Sequence, residues 1–183
     1  MNIGIDIDDT INNMHDIILK KGIEFNKREK IDFKINPNLW DLKKAFGWDE
    51  FTVEKFLDET LEEACFKAET KENAVEVINK LQREGNKIII ITSRTTKNAY
   101  EISEKWLKQK NVNYDKLIVG STDKGKTCLE NEIDVFIDDN VEFCNSVSAT
   151  NAKVLMFDSP CNQKEMNFKR VYSWDEVYKE IKK

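Results

Sequence analysis

The 183-residue chain has a formal net charge of −5, with 40% apolar and 34% charged residues; this is the balance of a folded domain with a well-solvated surface, long enough for one core domain and a modest insertion. The acidic balance argues against a nucleic-acid polymer as main partner, since that binding needs clustered Lys and Arg to displace counterions. The longest apolar run, Ile88 to Ile91, is far short of the ~20 residues that span a bilayer, and Met1-Asn2-Ile3-Gly4-Ile5-Asp6 lacks the basic start of a secretory leader, so no membrane partner and a cytoplasmic location are expected.

In chain order, the spacing predicts a first strand over 3–7. Residues 13–72 then show no strand pattern. They read instead as two helices, roughly 13–27 and 49–66, joined by an aromatic loop holding Pro37, Trp40, Phe46 and Trp48. From residue 73 onward, helices over 73–84, 97–110 and 142–149 alternate with strands over 87–92, 116–120, 134–137 and 153–157. A weaker sixth strand over 170–172 precedes a terminal helix, opened by the capping box Ser173-x-x-Glu176. Most of the strand runs are continuously apolar, as parallel strands covered on both faces should be. The expected architecture is therefore α/β, a doubly wound parallel Rossmann-like sheet. It comprises a core of residues 1–12 and 73–183, with a small helical cap, 13–72, inserted after the first strand and seated over the strand ends.

The polar residues that interrupt this pattern fall at the carboxyl ends of strands, the edge where open α/β sheets bind ligands. They are Asp6, Asp8, Asp9 and Thr10; Thr92, Ser93 and Arg94; Ser121 to Lys124; and Asp138, Asp139 and Asn140. If the chain winds outward from its first strand in both directions, the first and fourth strands become neighbours and their acids face each other. Asp6, Asp8 and Asp138 so placed repel one another unless a cation neutralises them, and Mg²⁺ held by a few oxygens is the natural counterion. Asp6 then suits attack on phosphorus to give an aspartyl-phosphate. Asp8, two residues on and on the same side of an extended chain, suits proton transfer to the leaving oxygen and from water. Thr92 can hydrogen-bond a phosphoryl oxygen, and Lys124 can offset charge building on the phosphate. Arg94 stands ready to meet phosphate or to pair with a nearby acid, and Ser93 and Asn162 are further candidates for the substrate rim.

The segments Asp6-Ile7-Asp8-Asp9-Thr10, Ile88-Ile89-Ile90-Ile91-Thr92, Lys124 and Val135-Phe136-Ile137-Asp138-Asp139 resemble, in order, the four motifs of the haloacid dehalogenase superfamily. "TSR", "DKGK", "VFIDDN" and Phe157-Asp158-Ser159-Pro160-Cys161-Asn162 are similar to the bacterial nucleotidases related to 5'(3')-deoxyribonucleotidases. The resemblance implies a phosphatase with Asp6 as nucleophile, Asp8 as acid/base, Thr92 on the phosphate and Lys124 as its lysine. It further implies Mg²⁺ held by Asp6, the backbone carbonyl of Asp8, and Asp138, with a nucleotide or other small phosphorylated substrate. Whether Asp139 touches metal or substrate stays open. Asp9 departs from the pattern, because many relatives carry glycine there.

Three competing readings remain. Gly120-Ser121-Thr122-Asp123-Lys124-Gly125-Lys126-Thr127 satisfies the phosphate-loop pattern of nucleoside triphosphatases, although the helix after it is short for that role. The leaving group could instead be a sugar, or the fold could bind without turnover, although both Asp6 and Asp8 are present. His15, the sole histidine, reads as a surface or cap residue. Cys65, Cys128, Cys144 and Cys161, widely spaced and without a C-x-x-C pair, read as buried free thiols.

Overall fold

In the computed structural model, which describes residues 1–32 and 34–183, six strands form one sheet: β1 (Asn2–Ile5), β2 (Lys87–Thr92), β3 (Lys116–Val119), β4 (Val135–Asp138), β5 (Lys153–Phe157) and β6 (Lys169–Val171). Their order is β3-β2-β1-β4-β5-β6, and every neighbouring pair is parallel. The chain winds one way from β1 to β3 and the other way from β4 to β6. The expected doubly wound α/β sheet is therefore present, and β1 and β4 lie side by side with Ile3 opposite Val135 and Ile5 opposite Ile137.

Alternation along the strands sends successive side chains to opposite faces. Ile3, Ile5, Ile88, Ile90 and Ile137 share one apolar cluster with Ile78 and Leu81 of α4 (Ala74–Arg83), Trp106 and Leu107 of α5 (Ala99–Gln109), and Trp174 and Val177 of α8 (Trp174–Ile181). Ile89, Ile91 and Phe136 form another with Cys128 of α6 (Lys124–Glu130) and Val147 of α7 (Val141–Ser148). Each fully buried Ile or Leu contributes roughly 1.5–3 kcal/mol relative to exposure, so burial on both faces explains why these strands read as unbroken apolar runs. Gly4 is required where β1 meets the second cluster: a Cβ there would stand 3.0 Å from Phe136 and 3.2 Å from Ile91.

Between β1 and α4 lie α1 (Met14–Glu29), α2 (Leu42–Phe46) and α3 (Glu50–Lys67). Phe33, within the interval 13–72, lies outside the described residues. These helices carry a third apolar cluster, including Phe25, Phe46, Trp48 and Phe56, joined by Ile102 of α5. Phe46 stacks on Trp48 with ring centroids 4.4 Å apart, and the Trp48 indole donates to Asn26 at 2.7 Å. Two members of the aromatic loop are thus packing residues of this segment. α2 itself was not expected; its five residues show too little periodicity to read, and the Asp41 carboxylate caps it by accepting from the amides of Lys43 and Lys44.

The first strand corrects one expectation. It ends at Ile5 rather than at residue 7, because the amides of Ile11 and Asn12 turn back onto the Ile7 carbonyl at 2.9 and 3.2 Å. Asp6 and Asp8 therefore do not share a face by strand alternation. Their directions are set by that turn. His15, expected at the surface or in a cap, is buried in the first turn of α1. The four cysteines are free, with Cys65, Cys128 and Cys144 buried and Cys161 half-buried. Among the described residues no helix is long and apolar enough to cross a membrane.

Gly22 of α1 packs directly under Phe46, where an added Cβ would overlap the ring. Phe46 is pinned from its other side by Trp48. Gly22→Ala should therefore lower stability by roughly 1–3 kcal/mol through overpacking, despite the ~1 kcal/mol that Ala gains over Gly in helix propensity. Urea unfolding of the variant against wild type measures the difference.

Candidate active site

The winding reverses between β1 and β4, which opens a crevice at their carboxyl ends. The Asp6 amide donates to the Ile137 carbonyl at 3.0 Å, placing Asp6 beside Asp138. α6 begins at Lys124, its N-terminus capped by the Asp123 carboxylate. Gly125 lets this turn lie against α7: a Cβ would sit 2.5 Å from the Ser146 carbonyl oxygen. The Lys124 side chain consequently runs inward and is fully buried. Its Nζ donates to Asp6 Oδ1 at 2.5 Å and to Asp138 Oδ2 at 2.6 Å, 4.4 Å from the centre of the Phe143 ring.

Asp8 faces a second cation. Arg94, just past β2, grips it with both arms of its guanidinium, Nε to Oδ2 at 2.8 Å and Nη2 to Oδ1 at 2.6 Å. Its remaining arm donates to Ser103 Oγ of α5 at 3.2 Å. Asn12 adds a bond to Asp8 Oδ1 at 3.1 Å.

These surroundings push the carboxyls apart. Burial raises Asp6 to about 8, against the pull of Lys124. Asp8 is buried too, yet the charge and hydrogen bonds of Arg94 hold it below its ordinary value. Burial and the neighbouring charge of Asp138 raise Asp139 well above the usual carboxylate range.

A cavity of about 310 Å³ opens onto this floor, near the lower end of the ~300–1,000 Å³ typical of ligand pockets. Asp6, Asp8, Lys124, Asp138, Asp139 and Asn140 line it below, with Ser93 and Arg94 at one side. Met14, Ile18, Trp40, Leu42, Leu57, Leu61 and Cys65 form the wall contributed by residues 13–72. Of the predicted site residues, Thr92 is buried at the end of β2 and accepts weakly from the Arg94 amide at 3.4 Å; it does not line the cavity. Asn162 lies behind the site. Its amide nitrogen donates to the carbonyls of Asp139 and Phe157, both at 2.8 Å, and its oxygen accepts from Arg170. It supports the Asp139 loop and has no free group to offer a ligand at the rim.

Asp6, Asp138 and Asp139 each offer a carboxylate oxygen, and the three atoms lie within 4.8 Å of one another. Four carboxylates on this floor face two cations, Lys124 and Arg94. Two formal negative charges are left over, matching one divalent ion, and an all-oxygen donor set fits a hard cation such as Mg²⁺.

Sequence reasoning missed Trp40 as a partner of this floor. Its indole donates to Asp139 Oδ2 at 3.2 Å. It also placed the competing phosphate loop on Lys126, which lies on the surface, 71% exposed and paired with Glu130; α6 is only seven residues long.

A parallel sheet with acids at the ends of its two central strands and a buried lysine between them defines the class, a phosphatase of the haloacid dehalogenase type. The family model described as "5' nucleotidase, deoxy (Pyrimidine), cytosolic type C protein" matches residues 1–183, and the chain belongs to that family. It is 35% identical over 105 residues to a nucleotidase of Clostridium acetobutylicum, an alignment covering 56% of this chain and 54% of that relative. A Bacillus cereus relative is 27% identical over 192 residues, covering 100% of this chain and 99% of its own. Among solved structures, the haloacid dehalogenase-like hydrolase SP0104 of Streptococcus pneumoniae superposes with a TM-score of 0.70 at 10% identity, covering 98% of this chain and 97% of that one. A hydrolase of the same superfamily from Deinococcus radiodurans, solved with bound phosphate and sodium, gives 0.71 at 12% identity, covering 98% and 94%. These two likenesses concern the fold.

Asp9, the departure from the family pattern, has φ 58°, the left-handed region that favours glycine. An aspartate holds the position because its carboxylate accepts from the His15 amide at 3.0 and 3.1 Å, a first-turn donor that α1 itself leaves without a partner. Burial raises this carboxyl to about 7. The folded state therefore holds the Asp9 proton more tightly than the unfolded chain does. The stability this contributes is complete below pH ~4 and is lost as pH rises through about 7. Asp9→Asn keeps an acceptor that tolerates positive φ but cannot ionise. In urea unfolding with EDTA, its stability relative to wild type should therefore improve by a few kcal/mol between pH 4.5 and 7.5.

Proposed function

We propose that this chain is a Mg²⁺-dependent phosphomonoesterase that removes phosphate from a nucleoside monophosphate through an aspartyl-phosphate on Asp6. The observation that carries the proposal is the pairing of Asp6 and Asp138 across β1 and β4 on one buried ammonium. When bound among Asp6, Asp138 and Asp139, with the Asp8 carbonyl as a further donor, the cation supplies charge neutralisation and polarisation of the phosphoryl oxygens.

The remaining work falls to the chain. An Asp6 carboxylate oxygen attacks phosphorus and the ester P–O bond breaks. Asp8 gives its proton to the departing oxygen. A water then attacks the aspartyl-phosphate, yields its proton to Asp8, and releases inorganic phosphate and free Asp6. Lys124 holds Asp6 in place and offsets charge on the phosphoryl group, and Ser93, just past β2, supplies a hydroxyl on the cavity; Thr92, buried at the end of β2, supports that turn by accepting from the Arg94 amide. Arg94 keeps Asp8 ionised in the resting site. Passing its guanidinium from Asp8 to an incoming phosphate both binds the dianion and frees Asp8 to take up the proton that the first step needs.

Residues 13–72 act as the cap of this site. Their wall is apolar, and the Trp40 N–H is already engaged by Asp139. That supports a leaving group that carries a flat apolar face, such as a nucleoside with its base, over a free sugar whose many hydroxyls would be left unpaired.

Phosphate release from a panel of nucleoside 5'-monophosphates and hexose phosphates tests this reading. Mg²⁺ should be required, EDTA should abolish turnover, and the nucleotides should be preferred. Asp6→Asn should lower kcat by at least about a thousandfold, and Lys126→Ala should leave it within about twofold, as expected for a surface residue. Turnover that survives Asp6→Asn refutes the nucleophile, and preference for hexose phosphates refutes the substrate class.

A further inference from the structure

Trp40 touches both halves of the cavity. It lies in the stretch between α1 and α2, and its ring faces the cavity with the apolar wall. Its indole donates to Asp139. Among the described residues this is the one hydrogen bond that any residue of 13–72 makes to the Asp6, Asp138 and Asp139 cluster, and the one side-chain donor that the Asp139 carboxylate receives. Lys124 satisfies an oxygen of Asp6 and an oxygen of Asp138 but does not bond Asp139. An indole N–H can only donate; it fixes Oδ2 and leaves Oδ1 of Asp139 without a hydrogen-bond partner among the described residues.

The ring is held from behind. His15 packs edge-on against it with centroids 4.8 Å apart, and its Nε2 lies 2.7 Å from the Pro37 carbonyl. The His15 backbone is in turn fixed by Asp9. Trp40 is thus braced by the first turn of α1 with its N–H on the Asp139 carboxylate.

We propose that Trp40 is a positioning residue for the metal site, orienting Asp139 toward the cation and so coupling the seating of residues 34–41 to cation binding. The inference rests on the Mg²⁺ reading above. Partners that hold a ligating carboxylate typically change metal affinity by ~10–100-fold when removed. Coupling of this kind is reciprocal: if the seated segment favours the cation, the cation favours the seated segment by the same factor.

Calorimetric titration of the full chain with MgCl₂ provides the test. Trp40→Phe keeps an aromatic wall and removes only the donor, so its Kd for Mg²⁺ should rise about tenfold. Leu57→Ala perturbs the same wall without touching Asp139, and its Kd should stay within about twofold of wild type. Hydrogen exchange on the wild-type chain needs no variant: Mg²⁺ should slow exchange of the amides in residues 34–41. A Trp40→Phe Kd equal to wild type, an equal loss in Leu57→Ala, or unchanged exchange in 34–41 while Mg²⁺ binds would overturn the positioning role and leave the phosphatase reading standing. Failure of the wild-type chain to bind Mg²⁺ would overturn the metal reading, and this inference with it.

Discussion

A fully buried ammonium between two aspartates is the constraint around which the rest of this structure is arranged. Lys124 is wholly buried, and its charge is tolerable because Asp6 and Asp138 stand at 2.5 and 2.6 Å. Those acids come from strands 132 residues apart that lie together only because the sheet reverses direction between them. The close seating of α6 on α7 at Gly125 brings the lysine in from the side. A buried ion triad is weak evidence for stability, since the desolvation of its members is comparable to their attraction. Four coordinated structural choices that converge on such a triad therefore point to chemistry.

Two cations take three of the four acids, and the division gives the acids different electrostatic surroundings. Lys124 serves the pair at the strand ends, while Arg94 takes Asp8 alone. Asp139 receives neither cation, and burial among like charges raises its proton affinity. An environment that holds neighbouring carboxyls at different proton affinities is what acid/base work in a small site requires. The same imbalance leaves room for a divalent ion.

The sheet, its winding and the acidic strand ends were legible because parallel strands covered on both faces must be apolar throughout, so polar residues stand out where the strands stop. Lys124 could be chosen over Lys126 on helix length alone, and the structure places the first inside and the second on the surface. The Arg94–Asp8 pair was one of two open alternatives for Arg94, because residues 86 apart carry no periodic signal of contact. Trp40 offered no signal beyond being aromatic. Its part in the site depends on an indole N–H meeting an acid 99 residues further along the chain. Asp9 read as an anomaly until its positive φ and its bond to the start of α1 gave the reason. Asn162 sits close to the site in space, but its bonding groups are spent on the backbone and Arg170, something composition cannot reveal.

The cavity draws its floor and its wall from different sources. The charged floor depends on sheet register, and a shift of one residue there would break the triad. The apolar wall comes from α1, α2, α3 and the stretch before α2, packed on a separate cluster. Side chains in such a wall can change size without disturbing Lys124, so the shape of the wall is free to vary while the floor stays fixed. Trp40 is the exception, because it belongs to the wall by its ring and to the floor by its N–H. A substitution there changes both at once, which ties this position to the floor as no other wall residue is tied.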